Sequence, residues 1–496
     1  MRRIDRRHLL PGAAAFAAAV LVALLGLNAG ADPPDRASGR GTVELQLLGV
    51  NDLHGHLEPP EPQRGGAAWL GAWLDRSAAS HPDRTIRVHA GDMVGASPLI
   101  SSHFHDEPTI EATNLMGFDV GTLGNHEFDE GGDELMRLLR GGRRVGPDAL
   151  KRNVTGRLVN TSDAGFGGTA FPVIAANTFD RGGRLVLPPY AIAERAGVRV
   201  GFIGVTTVRT PTWLLRRHAE EFRFSDVSDA VNRWVPVLRA KGIEAIVVLA
   251  HEGAASPGTE GPVIDETREM HDAVDVVVAG HSHSLLNVRV DGKLVVEAMS
   301  YGTAYDLVDM TIDRDSGDVV ASSAEVPATT HAGVDPDGEL ARLVADRRER
   351  VAPLAERILG STDAPLTRAG GELARLVADA QRVSTGADIA LVSPASLRAD
   401  IDAGPVAYEE LFAAQAFDHP LLSVRVTGAQ LERLIRAAGE RATASGPDPP
   451  LRPAASYELV ASELLLDHLP LPPERRPRHA RTEVEALAAY TQARLR

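Results

Sequence analysis

No cysteine occurs anywhere in the 496-residue chain. That absence excludes disulfide scaffolds, thiolate-bound zinc, thiol nucleophiles and lipidation through cysteine. Positive charge is also scarce: 52 Lys and Arg stand against 67 Asp and Glu, for a net charge of −15 and a pI near 5.6. A nucleic-acid coat or a binder of anionic membranes needs a basic footprint, so no nucleic-acid partner is expected. Long apolar runs are missing too, with one exception at the N-terminus. The remainder is ordinary for folded domains, 44% apolar and 24% charged. At roughly 100–200 residues per domain, the length suits two large domains.

The exception is Leu9–Ala31, which carries no charge and follows the arginine-rich stretch Met1–His8. Ala29-Gly30-Ala31 supplies a small-x-small cleavage pattern, so residues 1–31 read as a secretory signal of a secreted, periplasmic or cell-surface protein. Arg6 and Arg7 resemble a loose twin-arginine export signal. Kept uncleaved, the run is long enough to serve as an anchor.

Beyond it, β-branched apolar runs alternate with helical patterns. Strands are predicted at Val43–Val50, Thr85–His89, Val173–Ala175, Val198–Val205, Ala245–Ala250 and Val274–Ala279, several apolar enough for burial on both faces. Helices are predicted at Ala67–Ala79, Asp133–Leu139 and Val227–Ala240, giving a layered α/β domain over 43–330. A charged helical stretch, Asp337–Leu359, makes 331–360 a linker. A second, smaller and abbreviated α/β domain then fills 361–496, with a helix at Glu372–Ser384 and strands at Asp388–Val392 and Leu421–Val426. Thr427 and Gln430 form a capping box for a helix at Ala429–Ala438, and 442–453 and 469–478 read as irregular.

The chemistry-bearing residues sit where strands end. Val43–Val50 runs into Asn51-Asp52-Leu53-His54, and Thr85–His89 into Ala90-Gly91-Asp92. Gly124-Asn125-His126-Glu127-Phe128-Asp129 follows, then His251, then Gly280-His281-Ser282-His283. Singly, each has a bland reading as a loop or surface residue. Together they occupy the edge where open α/β sheets build sites. Their convergence would offer about seven nitrogen and oxygen ligands, enough for two divalent cations bridged by a carboxylate. Neutral imidazoles and carboxylates suit Zn, Mn or Fe. His103 and His105 are read as solvated.

At this point the chain resembles the calcineurin-like metallophosphoesterases. More narrowly, it resembles the secreted 5′-nucleotidase, UDP-sugar hydrolase and 2′,3′-cyclic phosphodiesterase family. The narrower likeness rests on Gly124–Asp129 (GNHEFD), Phe171–Thr178 (FPVIAANT), Gly201–Pro211 (GFIGVTTVRTP) and Thr385–Leu391 (TGADIAL). The resemblance implies a four-layer αββα sandwich and two divalent metal ions (Mn, Zn, Fe or Mg). It implies Asp52, His54 and His283 at one ion, Asn125, His251 and His281 at the other, and Asp92 between them. It also implies His126 as the imidazole that steadies the phosphoryl oxygens, with Asp129 orienting it. The implied substrate is a small phosphate ester, a nucleotide first. Cyclic nucleotides and UDP-sugars or dinucleotides are the alternatives, and a thiosulfohydrolase-like enzyme or a non-catalytic binding protein comes after them. In the second domain the family's glycine-rich loop is replaced by Ser393-Pro394-Ala395-Ser396-Leu397-Arg398. Arg398 and Phe417 are then the substrate contacts, with Arg368 a weaker candidate for anion contact and His419 in place of the family's Asn. Beyond Phe417 only Tyr457 and Tyr490 remain as aromatic residues. The sequence leaves the oligomeric state open.

Overall fold

Strand Thr42–Val50 shows why the first domain is layered. Val43, Leu45 and Leu47 point to one side and Leu48 and Val50 to the other, and all are buried. Ala245–His251 behaves alike: Val247 and Leu249 join the first group's cluster, while Ile246, Val248 and Ala250 face a third cluster. Side chains alternate across a strand, so a continuous apolar run needs cover on both faces. Two six-stranded sheets supply half of that cover by packing against each other.

In a computed structural model that describes residues 41–255, 259–438, 442–446, 451–471 and 478–495, the first sheet runs Val319–Glu325, Asp306–Asp313, Thr42–Val50, Thr85–His89, Val120–Thr122, Val173–Ile174. Its last four strands are parallel. The second runs Leu285–Val290, Lys293–Ala298, Val276–Ala279, Ala245–His251, Val198–Thr206, Tyr190–Arg195, with its four central strands parallel. Helices Ala67–Ala78 and Glu107–Leu115 cover the first sheet, and Val227–Arg239 and Pro262–Glu269 the second. This is the expected αββα sandwich. Asp226 caps Val227–Arg239 by accepting from Asp229 N–H at 3.0 Å.

The stretch expected to be a connecting helix is shorter and better anchored. Helix Gly338–Ala355, capped by Asp337, buries Leu340, Val351, Leu354 and Ala355 in the first domain's core. The chain then leaves helix, and Ile358–Thr362 pairs with Gly404–Ala407. The second domain is a five-stranded sheet ordered Thr443–Ser445, Ile389–Val392, Ser456–Ser462, Pro420–Thr427, Arg478–Thr482. The Thr427–Gln430 capping box is present in both directions, at 2.7 and 3.2 Å. Segments expected to be irregular contribute Thr443–Ser445 and the start of Arg478–Thr482. A closing helix, Glu483–Arg494, follows its own capping box at Thr482 and Glu485. Among the described residues no helix is long and apolar enough to cross a membrane. The export signal read at 1–31 lies outside the described residues.

Candidate active site

Every metal-ligand candidate comes from a loop or a strand end at the same edge of the two sheets, and the structure gathers all seven. Asp52 Oδ1, His54 Nε2 and His283 Nε2 lie within 3.2–3.7 Å of one another. On the other side, His251 Nε2 is 3.1 Å from Asp92 Oδ2 and 3.2 Å from Asn125 Oδ1, and His281 belongs to the same cluster. Asp92 Oδ2 also lies 3.7 Å from His54 Nε2, so one carboxylate faces both groups.

The tautomers decide what these distances mean. His54 Nδ1–H donates to Gly95 C=O at 2.9 Å and His251 Nδ1–H to Ala90 C=O at 2.8 Å. A neutral ring so fixed turns its Nε2 lone pair inward. Imidazole lone pairs, an amide oxygen and two carboxylates therefore confront one another in a buried space. Asp52 Oδ1 is wholly buried without a hydrogen-bond partner, while its Oδ2 accepts from Asn51 and from His281 N–H. Only cations or protons between them make such an arrangement favourable. Protons show the same demand. Burial alone would keep His251 neutral, yet Asp92, Asp52 and Glu127 outweigh it and push it up to about 10. Burial would raise Asp52, yet His283 and His54 hold it well below the usual carboxylate range. The residues fit a pair of divalent cations, and the absence of sulfur leaves Zn, Mn, Fe and Mg as the suitable ions.

The backbone is bent to present these groups. Asp52, His54, Asp92, His281 and His283 all have φ between 47° and 76°. Non-glycine residues there cost roughly 1–3 kcal/mol each and persist only where the surroundings over-determine them. Gly124 allows the closest approach: a Cβ there would lie 2.1 Å from Asp92 Oδ1.

Two supports escaped sequence reasoning. Glu127 accepts from the N–H groups of Asp92, Met93 and Gly124 at 2.5–3.0 Å, locking two ligand loops together. Burial and Asp92 push its carboxyl up to about 7. Glu297, 0% exposed, accepts from Ser282 hydroxyl at 2.8 and 2.9 Å and from Ser284 N–H at 3.0 Å, pinning the His281–His283 segment. Glu127 was visible inside the GNHEFD motif, but Glu297 had no local signal.

His126 sits beside the cluster. Its N–H donates to Asp92 Oδ1 at 2.8 Å, and its Nδ1 is 2.7 Å from Asp129 Oδ2. Burial would lower its pKa, but Asp129 and then Asp92 prevail and push it up to about 9. With Nδ1 engaged, Nε2 is the ring atom left to meet a substrate.

A cavity of about 590 Å³ opens from the metal cluster, and both domains line it. The second domain contributes Arg398, Phe417 and His419, so both expected substrate contacts reach the site. Phe417 stacks on His126 at 5.7 Å and on His419 at 5.7 Å, with the Arg398 guanidinium also 5.7 Å from its ring. Arg368 does not face the cavity. It binds the Asp400 carboxylate and donates to Arg398 C=O at 2.9 Å, so it props the Arg398 loop instead. His105, expected to be solvated, is buried between Arg144 and Ala149 C=O. Trp213, Leu464 and Leu465 also line the cavity and were not singled out from sequence.

Family models match the chain over residues 45–285, as calcineurin-like phosphoesterase, and 355–463, as the 5′-nucleotidase C-terminal domain. The chain belongs to the calcineurin-like phosphoesterase family and carries a 5′-nucleotidase C-terminal domain. The chain is 33% identical to endonuclease YhcR of Bacillus subtilis over 416 residues, covering 80% of this chain and 33% of that protein. It is 31% identical to cell wall protein Lmo0130 of Listeria monocytogenes over 468 residues, covering 82% and 57%. The chain thus spans between a third and just over half of these relatives' lengths. The fold of a 5′-nucleotidase precursor from Thermus thermophilus superposes with a TM-score of 0.72 at 22% identity, covering 91% of this chain and 96% of that one.

Proposed function

We propose that this chain is an exported two-cation hydrolase of phosphate esters, with nucleotides as its substrates and 5′-nucleotidase action as its reaction. One observation carries the reading. Asp92 stands between two buried groups of inward-facing acceptors, 3.1 Å from His251 and 3.7 Å from His54, where a shared counter-charge is required. The family membership and the matched nucleotidase C-terminal domain support the substrate class.

Asp52, His54, Asp92 and His283 would hold one ion, and Asp92, Asn125, His251 and His281 the other. When bound, two such ions supply a water activated near neutral pH and Lewis-acid stabilisation of phosphoryl charge. The chain's own groups set the geometry. His126, held by Asp129, donates from Nε2 to a phosphoryl oxygen as negative charge grows there. Arg398 provides a fixed cation on the second-domain wall for the same phosphate. Phosphoryl transfer asks little covalent help of a protein, so this placement is most of its contribution.

The test is a substrate panel run on metal-loaded protein: nucleoside 5′-monophosphates, 2′,3′-cyclic nucleotides, dinucleotides, UDP-sugars and simple phosphomonoesters. Preferred hydrolysis of nucleotides supports the reading. Stoichiometric ion binding with no hydrolysis of any phosphate ester would leave a binding protein on a hydrolase fold.

A further inference from the structure

We infer that Trp213 is the specificity-determining residue for the organic group of the substrate, gripping a planar base against the first domain. The inference rests on the phosphoester reading above and names the wall on which that ester lies.

Among the described residues, the second domain offers no free pair of rings. Phe417 is engaged with His126, His419 and Arg398, as described above. Tyr457 packs on the Leu422, Leu431 and Leu459 cluster and accepts from Arg452 N–H, and Tyr490 packs on the Leu373 and Leu487 cluster. Helix Glu463–His468 instead turns Leu464 and Leu465 to the cavity.

The remaining aromatic plane belongs to the first domain. Trp213 follows the short helical turn Thr210–Thr212 and lines the same cavity, half-buried, with its ring 4.7 Å from that of the metal-ligand candidate His281. Arg209 lies over the indole at 5.2 Å and backs it. The segment that carries Trp213 is fastened to the helix that carries the leucines. Arg216 N–H donates to the Asp467 carboxylate at 3.0 Å, its guanidinium donates to Asp467 C=O at 2.5 Å, and Arg217 pairs with Glu463. An indole plane and an aliphatic pair are therefore held as two walls of one cavity, adjacent to the phosphoryl position. A group attached to phosphorus there must lie along them. A flat, π-faced leaving group gains stacking on the indole. A bare sugar phosphate gains none. The ligand class that uses this wall is a nucleoside.

The experiment compares a nucleoside 5′-monophosphate with ribose 5-phosphate, using the full chain loaded with Mn²⁺, in the unsubstituted protein, Trp213→Ala and Trp213→Phe. Trp213→Ala should raise KM for the nucleotide about 10-fold with kcat nearly unchanged. It should leave KM for ribose 5-phosphate and Mn²⁺ affinity by calorimetry where they were, and Trp213→Phe should restore most of the loss. An unchanged nucleotide KM, an equal rise for both substrates, or weakened Mn²⁺ binding overturns the assignment. If the unsubstituted protein hydrolyses neither ester, the 5′-nucleotidase reading itself fails, an outcome visible before any variant is made.

Discussion

Asp129→Asn removes one charge from the site and almost no volume. The side chain touches His126 Nδ1 at 2.7 Å, while the Asp129 backbone carbonyl keeps its bond from His218 Nδ1–H at 2.6 Å. Burial works against a charged His126, and Asp129 is the leading group that overrides it and holds the ring up to about 9. A hydrogen bond to a charged group contributes about 1.5–3 kcal/mol. At 1.36 kcal/mol per pKa unit, its loss lowers the ring's pKa by about 1–2 units. The sign follows from the role. In the proposed role the protonated ring donates to the phosphoryl oxygen, so activity would be present below its pKa and lost as pH rises through it. The assay is kcat against pH at saturating metal and substrate. The variant's basic limb should move about 1–2 units to lower pH, so that kcat falls about 2-fold or less at pH 7 and roughly 10-fold or more at pH 10, with bound metal unchanged. A uniform fall in kcat at every pH, with the limb in place, would refute the reasoning, as would loss of metal.

Asp92→Asn should weaken Mn²⁺ binding by about 10³-fold or more in calorimetry, since a unit charge pair at ~4 Å is worth about 4 kcal/mol at an effective dielectric of 20. Its thermal midpoint in chelator should fall, because Asp92 is the leading group that holds the buried His251 ring charged; retained tight Mn²⁺ binding would contradict the proposed bridge. Arg398→Ala should raise KM for every phosphate ester tested, including ribose 5-phosphate, in steady-state assays. Burial and then Asp418 push Glu483 up to about 8 in the folded chain. The stability linked to its neutral form is therefore complete below the unfolded value near 4.5 and lost as pH rises to about 8. Glu483→Gln should flatten the decline in denaturant-measured stability between those limits, by on the order of 1 kcal/mol per pH unit.

Much of the first domain was legible because its signals are local. Thr85–His89 is a short run bounded by turns, and both its ends match the strand found. Asp52, Asp92 and His251 stand directly after apolar strands, so their gathering follows from topology alone. The second domain spoke less clearly. Helix Glu483–Arg494 carries a Thr482–Glu485 capping box that could have been read, but it follows Pro- and Arg-rich sequence that suggested irregular chain. Other features depend on tertiary approach. Glu297 meets Ser282 only because strand Lys293–Ala298 lies beside the strand preceding the His281 loop. Trp213 reaches the cavity through a loop whose sequence has no period. His105 shows the reverse case: an isolated loop histidine that Arg144 and Thr161 enclose.

The central claim is that this chain hydrolyses phosphate esters through two cations gripped between its strand-end loops. The most direct measurement titrates Mn²⁺ into chelator-treated protein, counting bound ions by elemental analysis while following phosphate release from a nucleoside 5′-monophosphate. The account predicts two ions per chain, with release appearing as they bind. Full release from protein holding no metal would contradict it.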